Sequence, residues 1–344
     1  MAMTRHAEDA DPHADPRAPV VLLREPGATG REQALSFARL GAVVTTNPAD
    51  DADFVVTSEL DLDREGLRRL AADELGLPTA PFWFAGTAAE LAAIAEHAGF
   101  PLAVTPVADE ADTGRSVLLR PEDVGPAWDR AVAAGHQRVM AETVVEIDDQ
   151  VTLLTVRTAS AAGPVVHFCE PIGHRVADDG TVSAWQPHRL APAALDAAKS
   201  IGARIVNSLD GRGAYAVELL VRGDEVYFAD VRPRPVDATL LTLRTHRLSV
   251  FDLHARAVLG LPVDTIMVSP GAAVVGRAGD AVLDVAADKA TALAVLAQAH
   301  EVAESDVWLF GDGLGAAFAT AQDVTIARDR AQRTAVSLRR LWQS

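Results

Sequence analysis

The chain has 344 residues, of which 31 are Lys or Arg and 48 are Asp or Glu, so its formal net charge is −17 at pH 7. This acidic balance argues against a nucleic-acid-binding protein, which needs a basic face. Hydrophobic residues make up 49%, and no run reaches the ~18 apolar residues of a membrane span. We therefore expect a folded, soluble, cytoplasmic protein of two or three domains.

The N-terminal part begins with a polar segment, residues 1–18, which contains proline and lacks periodicity. We predict a disordered tail there. From Val20 the pattern becomes strand, glycine-containing turn, helix at 31–40 and a second strand, which is typical of an α/β unit. The next helix is predicted at 63–75 and ends at Gly76.

The rest of the chain alternates strand-rich and helical segments. A capping-box pattern at Thr87–Glu90 predicts the start of a helix. Residues 137–175 contain β-branched runs that favour strands. A helix at 192–208 precedes a hairpin at 214–232, and a final helix is predicted near 325–342. The pattern predicts an α+β chain with a strand-rich centre between two mixed flanks.

The predicted hairpin carries two acidic residues, Glu218 and Asp230. A three-residue loop at 223–225 would place Val217, Leu219 and Val221 opposite Val231, Ala229 and Tyr227 on one apolar face. On the other face Glu218 would lie opposite Asp230, with the side-chain carbons about 5 Å apart. Two carboxylates that close repel unless a cation lies between them, and Mg²⁺ bound to nucleotide phosphates suits such oxygen ligands. The alternative is a solvated acidic pair on an exposed face.

Several runs, in one order along residues 60–325, resemble the PurT branch of the ATP-grasp superfamily, the formate-dependent phosphoribosylglycinamide (GAR) formyltransferases. They are DREGLRRLAADELGLPT (63–79), GFPLAVTPV (99–107), VTLLTV (151–156), HFCEPIGHR (167–175), WQPH (185–188), VELLVRGDEVYF (217–228), PRPVD (233–237) and LHARAVLGLP (253–262). The resemblance implies an ATP-grasp fold of mixed α+β and α/β character. Its parts would be a shortened pre-ATP-grasp α/β domain at 19–62, two ATP-grasp subdomains at 63–262 and a small C-terminal domain at 263–344.

The resemblance also implies a chemistry in which ATP phosphorylates formate and the substrate amine attacks the acyl phosphate. Glu218 and Asp230 match the two Mg²⁺ ligands, and Arg64 matches an ATP-contacting arginine. The strand linker that hydrogen-bonds adenine matches Glu142, Thr143 and the residues through Val145. Asp237 falls where the family has an aspartate that faces the amine. A homodimer acting on small molecules is expected.

Several positions depart from the family pattern at the nucleotide end. Thr105 replaces the lysine that touches nucleotide phosphate. The glycine-rich phosphate loop is replaced by ADEADTGRS (108–116), which keeps Gly114 but brings three acids, Asp109, Glu110 and Asp112. Such acids would repel a triphosphate, although Arg115 could act as a partial substitute cation. Gln150 stands where the family has a glutamate on the ribose hydroxyls.

The positions that would contact GAR depart from the family pattern as well. Ala28 replaces the acid that would meet the glycinamide amine, and LFGDGLGAAF (309–318) replaces a lysine and arginine pair that grips the ribose phosphate. Without that clamp a phosphate-bearing substrate loses hydrogen bonds worth about 1.5–3 kcal/mol each. These departures predict a substrate other than GAR.

Three hypotheses follow. In the first, the chain is a repurposed ligase in which MgATP activates a small carboxylate as an acyl phosphate and passes it to an amine other than GAR. In the second, it is an ATP-independent enzyme that reuses the cleft, with His174, Arg175 and Asp237 as participants. In the third, it is a non-catalytic ligand-binding or regulatory protein. His174 and Arg175 also have a structural interpretation, as salt-bridge partners inside the sheet.

Overall fold

The computed structural model of the chain describes residues 18–107, 114–277 and 289–342. Residues 1–17 of the predicted tail lie outside the described residues. So do the three acids of the predicted phosphate loop, Asp109, Glu110 and Asp112. Among the described helices, none has both the length and the hydropathy that a membrane span requires.

The described strands, in chain order, are β1 Val20–Arg24, β2 Val43–Thr45, β3 Phe54–Thr57, β4 Phe82–Ala85, β5 Leu102–Pro106, β6 Ser116–Leu118, β7 Val139–Thr143, β8 Asp149–Ser160, β9 Gly163–Phe168, β10 Ile172–Val176, β11 Val182–Gln186, β12 Gly213–Arg222, β13 Glu225–Arg232, β14 Gly271–Arg277, β15 Ser305–Leu309 and β16 Leu314–Thr320. The described helices are α1 Gly30–Ala38, α2 Arg64–Arg69, α3 Ala88–Ala98, α4 Val124–Ala133, α5 Pro192–Ser208, α6 Thr242–Thr245, α7 Val250–Val258, α8 Lys289–Ala299 and α9 Val324–Trp342. A π-helical turn, Leu70–Glu74, continues α2, and short 3₁₀ helices cover Pro121–Asp123 and Asp237–Leu241.

These strands form three sheets among the described residues. A parallel sheet has the order β2-β1-β3, and an antiparallel sheet has the order β4-β7-β5-β6. The largest sheet runs β13-β12-β8-β10-β11-β14-β16-β15, and β9 pairs with β8. The predicted combination of a small α/β start and a strand-rich centre is therefore present.

The chain divides into two compact units. The first unit comprises Met1–Leu60, Asp149–Glu218 and Val231–Ser344, and the second unit comprises Asp61–Asp148 and Leu219–Asp230. The β12–β13 hairpin thus contributes Glu218 to the first unit and Asp230 to the second.

Strand β14 of the large sheet is buried on both faces in the first unit. Along β14, Ala273 and Val275 belong to a core that includes Phe251 of α7, whereas Ala272 and Val274 pack with residues of α9. This alternation is the period-2 geometry of a strand covered on both faces. The face toward α7 also carries the polar site residues described below.

The parallel sheet of the first unit is fixed to α7 by α1. Phe37 of α1 is fully buried in a cluster with Leu23 of β1 and Val258 of α7. The Ser36 hydroxyl donates a hydrogen bond to Asp252 Oδ1 over 3.1 Å.

Helix α2 begins where the sequence predicts, but it does not remain α-helical to residue 75. The Asp63 side chain accepts a hydrogen bond from the Gly66 amide and caps the helix. The π-helical turn then follows, and Gly76 ends it with φ of +55°. At α3 the Thr87 hydroxyl accepts from the Glu90 amide as predicted, while the Glu90 carboxylate accepts from Gly86.

The hairpin differs from its predicted register near the turn. Its loop has two residues, Gly223 and Asp224, instead of three. Val226, Phe228 and Val231 are the buried residues of β13, whereas Tyr227 and Ala229 are not buried. From Phe228 to Val231 the buried positions are three apart, so the burial alternation changes phase beside Asp230. Strict period-2 alternation does not predict this change.

An ion-pair cluster fixes the start of the second unit. Glu65 accepts hydrogen bonds from Arg69 at 2.9 Å and from Arg138 Nη2 at 2.8 Å, and both guanidinium groups lie over the Phe84 ring. The hydrogen bonds from Arg138 are the main cause that lowers the pKa of Glu65 from 4.5 to about 2. The cluster ties α2 to β4 and to the residue before β7.

We predict that Glu65→Gln lowers the free energy of unfolding at pH 7 by about 1 kcal/mol, since both arginines are half exposed to solvent. Because the pKa of Glu65 is depressed in the folded state, its contribution is present above about pH 4.5 and is lost as the pH falls toward about 2. Urea unfolding at pH 7 and pH 3 measures this. The matched control is Glu96→Gln, which changes an exposed residue of α3; an equal loss in both variants, or a loss independent of pH, would contradict this role of Glu65.

Candidate functional site

Three polar side chains meet on neighbouring strands of the first unit: Glu218 of β12, Thr152 of β8 and His174 of β10. The Thr152 hydroxyl donates to Glu218 Oε1 over 2.9 Å and lies 3.2 Å from His174 Nδ1. His174 Nε2 lies 3.4 Å from Glu218 Oε2. The strand order β12-β8-β10 places these residues side by side, so the sheet itself assembles the cluster.

Thr152 and His174 both contact the Glu218 carboxylate, one at each oxygen. Burial and the nearby His188 lower the pKa of His174 to about 4, so its ring is neutral near pH 7. Carboxylate oxygens such as those of Glu218 are ligands that Mg²⁺ prefers.

A second histidine, His188, lies next to this cluster. Trp185 Nε1 donates to His188 Nδ1 over 3.1 Å, so a neutral His188 carries its proton on Nε2. That nitrogen lies 3.3 Å from Asp149 Oδ2. A Cβ on Gly173 would lie 2.5 Å from Trp185 Cε2 and 2.7 Å from His188 Nδ1. The glycine of the HFCEPIGHR run is thus required by close packing.

The two other candidates on these strands, Gln150 and Arg175, lie on opposite faces of the sheet. Gln150 pairs in register with His174 and is half-buried, so it lies on the same sheet face. Arg175 is exposed on β10, and strand alternation turns it to the face opposite His174. The structure brings Gln150, but not Arg175, to the Glu218 cluster.

In the second unit, the nucleotide candidates gather around Glu142. Burial raises the pKa of the Glu142 carboxyl, while Arg68, Arg115 and Arg64 lower it and Asp230 raises it. Glu142 and Thr143 end β7, where the Thr143 amide donates to Pro81 O over 2.9 Å. Val145 follows in the linker before β8. The predicted adenine linker therefore lies near three arginines and the predicted metal ligand Asp230.

Thr105 and Gly114, the phosphate candidates, are explained by packing. Thr105 is buried on β5 with only 6% of its surface exposed, and it carries no charge. A Cβ on Gly114 would lie 2.6 Å from Pro106 Cγ, so this glycine allows the segment before β6 to approach β5. The exposed Arg115 is the cation that follows it.

Asp237 begins a 3₁₀ helix in the first unit and is paired with Arg277 of β14. The distance from Arg277 Nη2 to Asp237 Oδ1 is 3.3 Å. Burial raises the pKa of the Asp237 carboxyl, and the charges of Arg277 and Arg234 oppose that rise. A carboxylate partly desolvated in this way can accept a proton or bind an amine.

The segment at residue 28 and the segment 309–318, which the sequence interpretation assigns to GAR binding, lie together. The Gly311 amide donates to Ala28 O over 2.9 Å. Asp312 adopts the left-handed conformation with φ of +51°, in the turn before β16. Ala28 and Phe310 pack against the same core cluster of the first unit as Val236, the residue before Asp237.

Sequence reasoning missed five polar residues of these sites: Arg68, Asp149, Thr152, His188 and Arg277. The alternation from Gln150 could have identified Thr152, because residues two apart on a strand share a face. No signal marks Arg68 or Arg277, since arginine in a helix or at a strand end is usually solvated.

We predict that Gly173→Ala lowers the free energy of unfolding by about 1–3 kcal/mol, because the new methyl group would overlap Trp185 and His188. The control is Gly125→Ala in α4, where a Cβ meets nothing within 4 Å; there we expect a gain of up to about 1 kcal/mol. Urea titration measures both. A neutral Gly173→Ala variant would refute the packing of this site.

Residues 70–251 match the ATP-grasp domain family. A formate-dependent phosphoribosylglycinamide formyltransferase from Corynebacterium efficiens is 46% identical over 293 residues, which are 82% of this chain and 71% of that protein. The enzyme of the same name from Corynebacterium glutamicum is 44% identical over 294 residues, with the same two shares.

Solved structures agree with this assignment. Glycinamide-RNase-transformylase T from Mycobacterium tuberculosis superposes with a TM-score of 0.75 at 43% identity, over 92% of this chain and 99% of that one. The N5-carboxyaminoimidazole synthase from Aspergillus clavatus, solved with ADP and 5-aminoimidazole ribonucleotide, gives a TM-score of 0.77 at 19% identity over 94% of this chain and 99% of that one. The second similarity concerns the fold alone, and both confirm the predicted ATP-grasp fold.

The predicted function, by contrast, is wrong. Relatives at 44–46% identity are formate-dependent GAR formyltransferases, which contradicts a repurposed ligase for another amine. The same finding overturns the two alternatives, an ATP-independent enzyme and a non-catalytic protein. The sequence hypothesis gave single positions that differ from the family pattern more weight than the similarity of the whole chain to the family. The chain is an enzyme of the ATP-grasp superfamily and belongs, within it, to the family of formate-dependent phosphoribosylglycinamide formyltransferases.

Proposed function

We propose that this chain transfers a formyl group from formate to the amine of GAR at the expense of ATP. A formate oxygen attacks the γ-phosphorus, ADP leaves, and the GAR amine then attacks the carbonyl carbon of formyl phosphate. Phosphate leaves as the new amide forms, and the amine loses one proton. The observation that carries this proposal is the identity of 44–46% to formate-dependent GAR formyltransferases. The Glu218 carboxylate, which Thr152 and His174 contact at its two oxygens, is the proposed metal ligand. The names of the relatives supply the substrates.

Glu218 and Asp230 would hold Mg²⁺, which neutralises phosphate charge when it is bound. Thr152 and His174 orient the Glu218 carboxylate through their contacts with its two oxygens. His174 is thus proposed as a positioning residue. The exposed Arg175 contributes to this site neither a contact nor a charge that faces Glu218.

The nucleotide would bind through the candidate residues that the sequence analysis named. The backbone of Glu142, Thr143 and Val145 would hold adenine, and the Gln150 amide would hold the ribose hydroxyls. Arg64 and Arg115 would supply the positive charge for the phosphates. A guanidinium offers a planar fork of donors that matches phosphate oxygens. These arginines would supply the positive charge that a lysine at the position of Thr105 supplies to the nucleotide phosphate in the family.

Asp237 would receive the substrate amine. Burial raises the pKa of this carboxyl, and Arg277 and Arg234 counteract that rise, so these arginines favour an ionised acceptor. An ionised carboxylate next to the amine can hold the proton that the nitrogen loses on acylation. We also propose the homodimer expected from the family, and light scattering of the purified protein would test it.

The direct test incubates the protein with ATP, Mg²⁺, formate and GAR and follows ADP and formyl-GAR by mass spectrometry. We expect equal amounts of both products and no formyl-GAR when formate is omitted. Glu218→Gln should reduce the rate by about 100-fold or more, because it removes a charged metal ligand.

The matched control is Asp224→Asn, which neutralises an exposed acid in the turn of the same hairpin. It should retain the wild-type rate. Formate-dependent ADP release without formyl-GAR, or equal losses in both variants, would overturn the proposal.

A further inference from the structure

Arg68 is a buried arginine at the centre of the second unit. Only 4% of its surface is exposed, although arginine is almost never buried without a partner. Its Nη1 donates to Phe228 O over 3.1 Å, and its Nη2 donates to Ala229 O over 3.0 Å. Nη2 also lies 3.0 Å from Glu142 Oε1. One guanidinium therefore serves three acceptors at once.

These acceptors belong to two separate segments, and both segments are functional candidates. Glu142 begins the linker proposed to hold adenine, while Phe228 and Ala229 immediately precede the proposed metal ligand Asp230. The guanidinium also lies over the ring of Phe82 in β4, with 5.7 Å to the centroid. Arg68 thus connects the adenine linker to the strand of Asp230 from within the core of a single unit.

The charges of this pair depend on each other. Burial is the largest cause that raises the pKa of Glu142, and Arg68 is the largest cause that opposes it. Loss of Arg68 would leave a partly buried carboxylate and two carbonyl groups without this donor. Lysine would keep the charge, but its single ammonium group does not reproduce a planar fork aimed at two neighbouring carbonyls.

We propose that Arg68 is a positioning residue for the nucleotide. It touches no substrate, but it holds the adenine linker and the strand before Asp230 in one fixed arrangement. Hydrogen bonds weaken steeply with misalignment, so small shifts of the Glu142–Val145 backbone would reduce nucleotide affinity. This inference rests on the proposed nucleotide site and adds the residue that organises it.

The test compares Arg68→Gln and Arg68→Lys with a control on the same helix, Arg69→Gln. Arg69 is the adjacent residue, but its side chain is 55% exposed and pairs with Glu65. Calorimetric titration with MgATP gives Kd, steady-state kinetics give KM for ATP and for formate, and thermal unfolding gives Tm. We expect Arg68→Gln to raise Kd and KM for ATP by about 10–100-fold. This is the range for residues that orient the binding residues without contacting the bound group themselves.

Arg68→Lys should show a smaller loss than Arg68→Gln, since the charge beside Glu142 is kept. KM for formate should stay within about twofold in both, which a general loss of structure would not allow. Arg69→Gln should leave both KM values unchanged. The double variant Arg68→Gln/Glu142→Gln should bind MgATP better than Arg68→Gln, because it no longer leaves a buried carboxylate unpaired.

The double variant and Arg68→Lys keep the inference testable if Arg68→Gln does not fold. An unchanged Kd in folded Arg68 variants, or parallel rises in KM for ATP and formate, would overturn the positioning role. A wild-type protein that binds MgATP but makes no formyl-GAR would overturn the proposed function alone. A wild-type protein that does not bind MgATP would overturn both.

Discussion

The compensation of buried charge is the constraint on which the second unit depends. The Arg68 guanidinium sits where an uncompensated charge would be far too costly, and it is retained because Glu142 and the carbonyl groups of Phe228 and Ala229 surround it. The same contacts join segments that are 74 and more positions from Arg68 along the chain. The hydrogen bonds that these buried polar groups require thus also fix the geometry of the proposed nucleotide site.

In the first unit, neutral groups contact a carboxylate. Glu218, Thr152 and His174 come from three adjacent strands, and Thr152 and His174 contact the two oxygens of Glu218. In the second unit, the Arg68 guanidinium contacts Glu142 and the strand before Asp230. The hairpin that carries Glu218 and Asp230 therefore takes part in a polar cluster in each unit.

Much of this arrangement could be predicted from the sequence, because the pattern of acids and apolar residues on the hairpin is local. Glu218, Asp230, Gln150 and the linker from Glu142 were named as candidates from the sequence, and the structure places Gln150 on the same sheet face as His174, beside Glu218. The two-residue turn was missed because the three-residue loop was chosen to keep a strict alternation from Tyr227 to Val231, whereas the burial pattern of β13 changes phase beside Asp230. Arg68 and His188 could not be predicted, since their roles depend on strand pairing between distant segments. The substrate prediction was wrong because single positions that lack a lysine were given more weight than the identity of 44–46% to GAR formyltransferases over most of the chain.

We propose that this chain activates formate as a formyl phosphate on the way to formyl-GAR. Formate with both oxygens labelled by oxygen-18 tests this step, because one formate oxygen must leave on the phosphate when the amine attacks. We expect one oxygen-18 atom in each phosphate released, in equal amount to formyl-GAR. Unlabelled phosphate released together with formyl-GAR would contradict a shared acyl phosphate, and unlabelled phosphate without formyl-GAR would identify simple ATP hydrolysis.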